Sequence, residues 1–388
     1  MNKECFEILR NKYLKTLKEE VIPFWLEYAI DESGAINNCI NEEGGVLSHD
    51  RYIWSQGRAL YTFSALCTFI ENREEYRRVA DGLFEYLTKN GRDSSGKWMY
   101  LLDKDGNVKE RDTSIYVDGF VLIGMTEYYN LTKNPLAMKI ALETYENTLR
   151  RISTPGSYNV APYVIAHGTK THGVNMIFAS FYHRLGEVLE SDEIKGVAYK
   201  LADEILNDFY VEEKDAILEF VTTDGHAIDS PMGRACVPGH AIESMWFLIK
   251  IFSSYGDKER VRKCTEIIRR HINLAYDKEG GGLFLALDID GKEPVFWQKP
   301  TCKPWWVQLE TLVGTVYAYK HTGNEWFMDF HNELSEFVYK YYPSGKGEWY
   351  NWLDKDKNPT SSAALPVKDP FHLPRALMEL SEVLSSLL

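Results

Sequence analysis

Apolar residues recur at helical spacing along most of the chain. In about twelve stretches the positions i, i+3, i+4 and i+7 are apolar, which is typical of helices that bury one face. Segments such as GHAIESMWFLIKIF are too long and too continuously apolar for a strand. The predicted helices cover residues 4–20, 54–71, 73–90, 114–132, 134–153, 172–188, 191–208, 239–255, 257–275, 304–321, 324–340 and 370–387.

The segments between the predicted helices alternate between short turns and long connectors. The long connectors, at 153–172, 208–239, 275–304 and 340–370, are rich in Gly, Asp and aromatic residues. Pieces of the connectors carry the turn residues of short β-hairpins, namely KWMYLLDKDGNVKER, GGLFLALDIDGKEPVFW and GEWYNWLDKDKNPT. The sequence therefore predicts short hairpins in the loops of an all-α protein.

The spacing of the helices indicates a repeat. Helices that follow the connectors begin near residues 54, 114, 172, 239, 304 and 370, which is a step of 58 to 67 residues. Six helical hairpins in a ring would form an (α/α)6 barrel with six inner and six outer helices, and residues 1–388 would be a single catalytic domain. An open solenoid of helix pairs is the alternative. We favour closure because both terminal segments are as apolar as the middle ones, whereas a solenoid needs polar caps.

Composition and charge narrow the class of function. The chain has 44 Lys and Arg residues against 57 Asp and Glu residues, a net charge of −13, which disfavours nucleic acid and anionic membranes as partners. The sequence shows no apolar run of about 18 residues. Its six cysteines form no CxxC pair, so we expect reduced thiols and a cytoplasmic location. The 10 Trp and 24 Tyr residues fit a carbohydrate cleft, because their rings stack on the C–H faces of sugars.

Polar and aromatic residues are concentrated on the first turns of the predicted inner helices. Residues three or four apart share one face of a helix, as His240 and Glu243 do. If the inner helices run parallel, their first turns meet at one mouth of the barrel and line a shared cavity. The residues on these turns are Trp54, Arg58, Tyr61, Tyr116, Asp118, His240, Glu243, Trp246, Trp306, Glu310, His372 and Arg375.

Several kinds of chemistry fit this set of residues. His240, Glu243 and His372 are candidate metal ligands, but Arg58 would bring a cation to the same mouth, so we expect no metal. The chain lacks a G-x-S-x-G motif and a phosphate-binding loop. Glu243 and Glu310 are a candidate carboxyl pair for glycoside hydrolysis, so a hydrolase remains an alternative. A sugar-binding protein without catalysis is a third.

Five longer motifs point to a known family. They occur in the order YIWSQGRALY, GRACVPGHAIESMWFL, KPWWVQLET, GEWYNWLDKDKNP and FHLPRAL. With these motifs the chain resembles the N-acylglucosamine 2-epimerases and, more distantly, the cellobiose 2-epimerases and mannose isomerases. The resemblance implies an (α/α)6 barrel, in agreement with the helix count, and a cofactor-independent isomerase that acts on a sugar. It also allows a homodimer and ATP as an effector, although the sequence shows no ATP-binding signature.

The resemblance also implies roles for individual residues. His240 and His372 match the acid–base pair that works at C2 of the opened sugar, and Arg58 matches the residue that holds O1 and the developing enediolate oxygen. Other matching positions bind hydroxyl groups, orient the histidines or line the pocket that holds the sugar. The residues expected to contact the substrate are Tyr116, Asn175, Glu243, Trp246, Trp306, Glu310 and Arg375.

One position departs from the pattern of the more distant relatives. Cellobiose 2-epimerases and mannose isomerases carry a histidine in a motif like N-x-x-M-H-L, whereas here Asn175 and Met176 are followed by Ile177. His172 cannot take the same place on the helix. N-acylhexosamine epimerases have an apolar residue there, so the expected reaction is the interconversion of N-acetylglucosamine and N-acetylmannosamine by two-base proton transfer. The alternatives are an epimerase or aldose–ketose isomerase for mannose, glucose or cellobiose, and a glycoside hydrolase.

Overall fold

Helices form most of the structure, a computed structural model that describes residues 3–111, 114–154, 156–161, 163–360 and 367–388. The helices are α1 (Lys3–Lys15), α2 (Ile22–Tyr28), α3 (Ile53–Ala65), α4 (Glu74–Asn90), α5 (Ile115–Thr132), α6 (Pro135–Ile152), α7 (His172–Val188), α8 (Asp192–Glu204), α9 (Pro238–Ser254), α10 (Lys258–Ala275), α11 (Trp305–Thr322), α12 (Trp326–Tyr341) and α13 (His372–Ser385). π-helical turns join α1 to α2 and extend α3 and α8, at Thr16–Val21, Leu66–Ile70 and Ile205–Phe209.

Within the described residues, six helices form a closed inner ring. In ring order α3, α5, α7, α9, α11 and α13 pack each against the next, and α13 contacts the π-helical turn Leu66–Ile70 that ends α3. The outer helices α4, α6, α8, α10 and α12 each pack on the inner helix that precedes them, and α1 packs on α13. Because the first helix packs on the last, the chain closes into the predicted (α/α)6 barrel rather than an open solenoid.

The sequence explains which helices lie inside. The inner helices α5, α9 and α11 are buried on almost every side, whereas the outer helices α4 and α10 have one apolar face. Glycines allow α3 and α5 to approach closely, since a Cβ on Gly124 would lie 2.5 Å from the carbonyl oxygen of Gly57. In the described part of the chain, none of the helices is both long and apolar enough to cross a membrane.

The strands are short and lie in the connectors. They are β1 (Cys39–Ile40), β2 (Val46–Ser48), β3 (Arg51–Tyr52), β4 (Met99–Leu102), β5 (Val108–Arg111), β6 (Thr169–Thr171), β7 (Tyr210–Val211), β8 (Ala216–Ile217), β9 (Phe220–Thr222), β10 (Ala235–Cys236), β11 (Leu287–Asp288), β12 (Lys303–Pro304) and β13 (Trp352–Leu353). All pairs are antiparallel: β1 with β2, β3 with β4, β4 with β5, β6 with β9, β7 with β8, β10 with β11 and β12 with β13. Since β3, β6, β10 and β12 directly precede inner helices, these pairs border the mouth where those helices begin.

The predicted hairpins are only partly correct. KWMYLLDKDGNVKER forms the hairpin β4–β5. In GGLFLALDIDGKEPVFW the hairpin is wrong, because β11 pairs with β10 from the preceding connector instead of with its own downstream residues. In GEWYNWLDKDKNPT, Leu353 makes a bridge to Pro359 while β13 pairs with β12. In the last two connectors the turn residues determine where the chain reverses direction. The strands β11 and β13, however, pair with strands from the preceding connector, β10 and β12.

The first helical region is longer than the predicted 4–20. It continues through the π-helical turn into α2 and ends at Tyr28. Pro23 lies in the first turn of α2, and a proline inside a helical pattern normally signals a helix end because it lacks an N–H group. The preceding π-helical turn changes the hydrogen-bond register there, which allows the chain to stay helical.

Candidate active site

The first turns of neighbouring inner helices meet at one mouth of the barrel. The ring of His240, on α9, stacks on the indole of Trp306, on α11, with centroids 4.9 Å apart and 28° between the planes. The ring of His372, on α13, lies 5.9 Å from the same indole. The structure thus brings together these three residues, which the sequence analysis had placed on separate predicted helices.

His240 is held by a carboxylate that the sequence analysis did not single out. Its Nδ1 lies 3.1 Å from Oε1 of Glu219, which is 3% exposed in the short link between β8 and β9. The main chain of Glu219 is fixed on both sides, since its N–H donates to Ala235 and its carbonyl oxygen accepts from the N–H of His172, both at 3.0 Å. A proton on Nδ1 of His240 leaves Nε2 as the atom that can meet a substrate.

A network of buried charged groups holds His372. Its Nδ1 lies 2.9 Å from Oε1 of Glu310. Arg375 donates from Nη2 to the same oxygen at 2.6 Å and to Oε1 of Glu243 at 2.5 Å. The indole N–H of Trp246 donates to the other oxygen of Glu310 at 3.1 Å. Glu310 therefore shares its charge among an imidazole, a guanidinium and an indole.

The same network includes a group of residues with the chemistry of metal ligands. Possible ligand atoms of Glu243, Glu310 and His372 lie within 4.8 Å of one another. This group contains Glu310 where the metal hypothesis from the sequence had His240. Arg375, which is 4% exposed, donates to both carboxylates, so a positive charge already balances them. The donor set fits an ion-pair network better than a metal site, because an ion there would face the buried guanidinium.

The two histidines differ in their electrostatic surroundings. Burial alone would lower the pKa of His240, but the carboxylate of Glu219 outweighs it and raises that pKa above its ordinary value. Burial lowers the pKa of His372 well below its ordinary value, and the charges of Arg58 and Arg375 add to this effect. The carboxylate of Glu243 opposes these effects but does not restore that pKa. The two pKa values are therefore shifted in opposite directions, so His240 holds a proton more readily than His372 does.

Arg58 lies at this mouth among aromatic rings. Its Nη1 lies 3.3 Å from Oδ2 of Asp369, an acid just before α13 whose side chain is 5% exposed and which the sequence analysis also missed. The guanidinium carbon lies 4.0 to 4.7 Å from the centroids of three rings, those of Phe120, Trp54 and Phe371. The rings and the carboxylate fix the direction of the guanidinium and keep water from much of its surface.

Two predicted substrate-contact residues lie in different places. Tyr116 begins α5, and its hydroxyl would lie 2.7 Å from a Cβ added to Gly173. Burial raises the pKa of Tyr116, and the nearby charge of Glu219 adds to this effect. The side chain of Tyr116 therefore lies near Glu219, at the end of the mouth where His240 lies. Asn175 donates from Nδ2 to Glu204 of the outer helix α8 at 2.9 Å. The structure thus places the amide of Asn175 between α7 and α8 and does not bring it to the histidines.

Comparison with known proteins identifies the family. A sequence profile described as N-acylglucosamine 2-epimerase (GlcNAc 2-epimerase) matches residues 34–376, a range that includes every mouth residue named above. The chain belongs to the N-acylglucosamine 2-epimerase family. This membership confirms the family expected from the sequence motifs.

Individual known proteins resemble this chain along nearly all of its length. N-acylglucosamine 2-epimerase of Bos taurus is 26% identical over 382 residues, covering 95% of this chain and 90% of that protein. Cellobiose 2-epimerase of Dictyoglomus turgidum is 24% identical over 397 residues, covering 96% and 98%. The structure of cellobiose 2-epimerase from Spirochaeta thermophila gives a TM-score of 0.84 at 19% identity, covering 99% of this chain and 98% of that one. The fold class and the class of enzyme, an isomerase acting on carbohydrates, are thereby confirmed.

Proposed function

We propose that the protein interconverts N-acetylglucosamine and N-acetylmannosamine by moving a proton at C2 of the open-chain sugar. One observation carries the proposal: imidazoles from two helices border one indole, and each binds its own carboxylate through Nδ1. Inversion at C2 without a redox cofactor needs one base to remove a proton and a second group to return one to the opposite face. Two histidines with separate supports suit this task.

The opposite pKa shifts of the histidines supply one base and one acid. In one direction the neutral His372 accepts the C2 proton through Nε2, and the electron pair of the C–H bond forms the C1=C2 bond of an enolate whose negative charge lies on O1. The protonated His240 then donates its proton to the other face of C2, and the C1 aldehyde forms again. In the reverse direction each histidine takes the other role. The opened sugar is required because a C2 proton is acidic only beside a free aldehyde.

Arg58 is suited to stabilise the intermediate. Its permanent charge would face the enolate oxygen O1, where negative charge develops. The surrounding rings lower the local dielectric, so the attraction is stronger than it would be in water. Asp369 keeps the guanidinium in place without substrate. The Arg58–Asp369 pair therefore supports the role that the family resemblance suggested for Arg58.

An apolar residue on the inner helix α7 supports an N-acyl substrate. Ile177 of α7 is partly exposed and lies next to Gly119 of α5, where a Cβ would be 3.3 Å from its side chain. An isoleucine gives a sugar hydroxyl no hydrogen bond but accommodates a methyl group. A glycoside hydrolase is less well supported, because Glu243 and Glu310 both bind one nitrogen of Arg375. The two carboxyls of a hydrolase instead flank the bond that they cleave.

Deuterium exchange at C2 tests the proposal directly. The protein is incubated with N-acetylmannosamine in deuterium oxide and followed by proton NMR. We expect the H2 signal to disappear while signals of N-acetylglucosamine appear. Absence of exchange at C2 would contradict an N-acyl substrate. Parallel tubes with mannose, glucose and cellobiose show whether the enzyme acts on an unacylated sugar instead.

The pH profile of kcat/KM should be bell-shaped and broad. Activity requires a neutral His372, whose pKa burial lowers, so the acidic limb should lie well below the ordinary histidine pKa of about 6.5. Activity also requires a protonated His240, whose pKa Glu219 raises against the effect of burial, so the alkaline limb should lie above that value. Initial rates from pH 4 to 10 would check this. A single transition near pH 6.5 would show that the histidines are not differentiated.

A further inference from the structure

A third histidine lies behind the mouth, and the proposed reaction does not use it. His172 begins α7 and is completely buried. Its Nδ1 lies 3.7 Å from Oε1 of Glu219, the same oxygen that contacts His240. Among the residues that the structure describes, neither ring nitrogen of His172 has a hydrogen-bond partner. The carboxylate of Glu219 is therefore placed between an imidazole that reaches the cavity and an imidazole that does not.

The charge of Glu219 is balanced differently from that of Glu310. In the described part of the chain, Glu219 has ion-pair contacts with the two histidines and with no Arg or Lys, whereas Glu310 binds Arg375. Within the described residues, the ionisable groups near Glu219 include Tyr116, Tyr163 and Cys236, and burial raises the pKa of each, so that they are neutral at pH 7. In the part of the chain that the structure describes, Glu219 therefore lies against imidazoles and not against a permanent cation.

The main chain around Glu219 would keep its place without the carboxylate. Its N–H and carbonyl groups are bonded to Ala235 and His172, and the next residue begins β9, which pairs with β6 in front of α7. The ring of His172 packs 5.6 Å from the ring of Phe209. The side chains of Glu219 and His172 are therefore held by a frame that does not depend on their contact with each other.

We infer that Glu219 is a positioning residue for His240 and that His172 supports Glu219 from the buried side, so that this pair controls one of the two proton transfers at C2 and leaves the other unaffected. A carboxylate at Nδ1 fixes the tautomer and the direction of an imidazole, which decides whether Nε2 can exchange a proton with carbon. His372 has its own carboxylate, Glu310, so loss of Glu219 should not disturb it. The inference rests on the proposed epimerisation.

Kinetic isotope effects in both directions of the reaction test the inference with Glu219→Gln. We expect kcat/KM to fall roughly 100-fold, the lower end of what a positioned acid or base contributes. In the direction in which His240 removes the C2 proton, the effect of C2 deuterium on kcat/KM should rise. In the other direction His240 returns the proton, so the C2 effect should fall toward unity while the solvent deuterium effect rises.

Two further variants keep the test decisive. Glu219→Asp retains the charge and should show the same asymmetry with a smaller loss, which covers the case in which the glutamine variant does not fold. His172→Phe removes the ring nitrogens but keeps a ring against Phe209, and a smaller loss with the same asymmetry is expected.

Glu127→Gln is the matched control, because Glu127 is 1% exposed and binds Arg184 near the far end of α5. Its isotope effects should equal those of the wild type in both directions, whatever the change in stability.

The outcomes separate the inference from the proposed function. If the wild type exchanges no C2 proton with any of the sugars tested, the proposed function fails. If the wild type epimerises but the Glu219 variants keep its isotope effects in both directions, the inference alone is overturned. Equal changes in both directions would likewise overturn it, because they would show a structural disturbance of the whole mouth.

Discussion

Replacement of either His240 or His372 by asparagine should abolish measurable epimerisation, with a loss in kcat/KM of at least about 10³-fold. Each imidazole is the group that would exchange a proton with one face of C2, and the carboxylate behind it cannot reach the substrate in its place. The rate is measured by NMR from both N-acetylglucosamine and N-acetylmannosamine. Thermal unfolding of each variant checks that the fold is retained.

The two histidine variants should differ in the exchange that remains. Without His240, the epimer that His372 deprotonates can still lose and regain a C2 proton, so it should incorporate deuterium without inversion. Without His372, the other epimer should do so. His321→Asn is a suitable control, because His321 is exposed in the last turn of α11, away from the mouth.

The histidine variants also distinguish the alternative functions. A glycoside hydrolase would tolerate loss of the histidines better than Glu243→Gln or Glu310→Gln, since carboxyl groups carry that reaction. A sugar-binding protein would retain binding and show no turnover even as the wild type. Loss of turnover in both histidine variants with retained sugar binding would agree with the two-base proposal alone.

The barrel was predictable because its signal is repeated. A helical apolar period returns about twelve times, so small errors at individual ends do not change the architecture. Most predicted helix ends agree with the structure within one or two residues. The hairpin expected in GGLFLALDIDGKEPVFW failed because the partner of β11 is β10, about fifty residues upstream. A turn motif reports the local reversal of the chain but carries no information about such a distant partner.

The arrangement of the candidate site was predictable where its residues lie on helices. His240, His372, Trp306, Glu310 and Arg375 share the first turns of neighbouring parallel helices, so the repeat itself brings them together. Glu219 and Asp369 lie in connectors, where no periodicity indicates direction. One signal was present for Glu219: it is a lone acid inside the apolar run AILEFV, and a charge buried in this way normally has a partner. For Asn175 the apolar pattern predicted the helix but did not show which face of it the residue occupies. Its side chain is directed to Glu204 of the outer helix.

Arg375→Met should cause the largest loss of stability, about 3–5 kcal/mol in the free energy of unfolding at pH 7. Arg375 is 4% exposed and donates to both Glu243 and Glu310. Without it, two buried carboxylates would face each other with no guanidinium between them. Urea unfolding would measure the loss. Arg262→Met is the control, since Arg262 forms an exposed pair with Glu266 and should change stability by less than about 1 kcal/mol.

The loss of stability should depend on pH with a defined sign. Burial already raises the pKa of Glu310 even with Arg375 present, and removal of Arg375 would raise it further. A carboxyl group whose pKa is raised in the folded state does not lower the free energy of unfolding below its unfolded pKa, about 4.3 for Glu. As pH rises from there through the folded-state pKa, the free energy of unfolding falls. The deficit of the variant should therefore be small near pH 4 and grow toward pH 7. Equal deficits at both would contradict the ion-pair explanation.

The same substitution should also affect the proton balance between the histidines. Once Arg375 no longer balances Glu310, the full charge of that carboxylate acts on His372 and raises its pKa. His372 would then keep its proton to a higher pH than in the wild type, so less of it would be available as a base near neutral pH. Activity should fall even in the folded fraction, and the acidic limb of the pH profile should move upward. Adding Glu243→Gln should recover part of the stability, because it removes one of two like charges, but it should not restore the base, because Glu310 still faces His372.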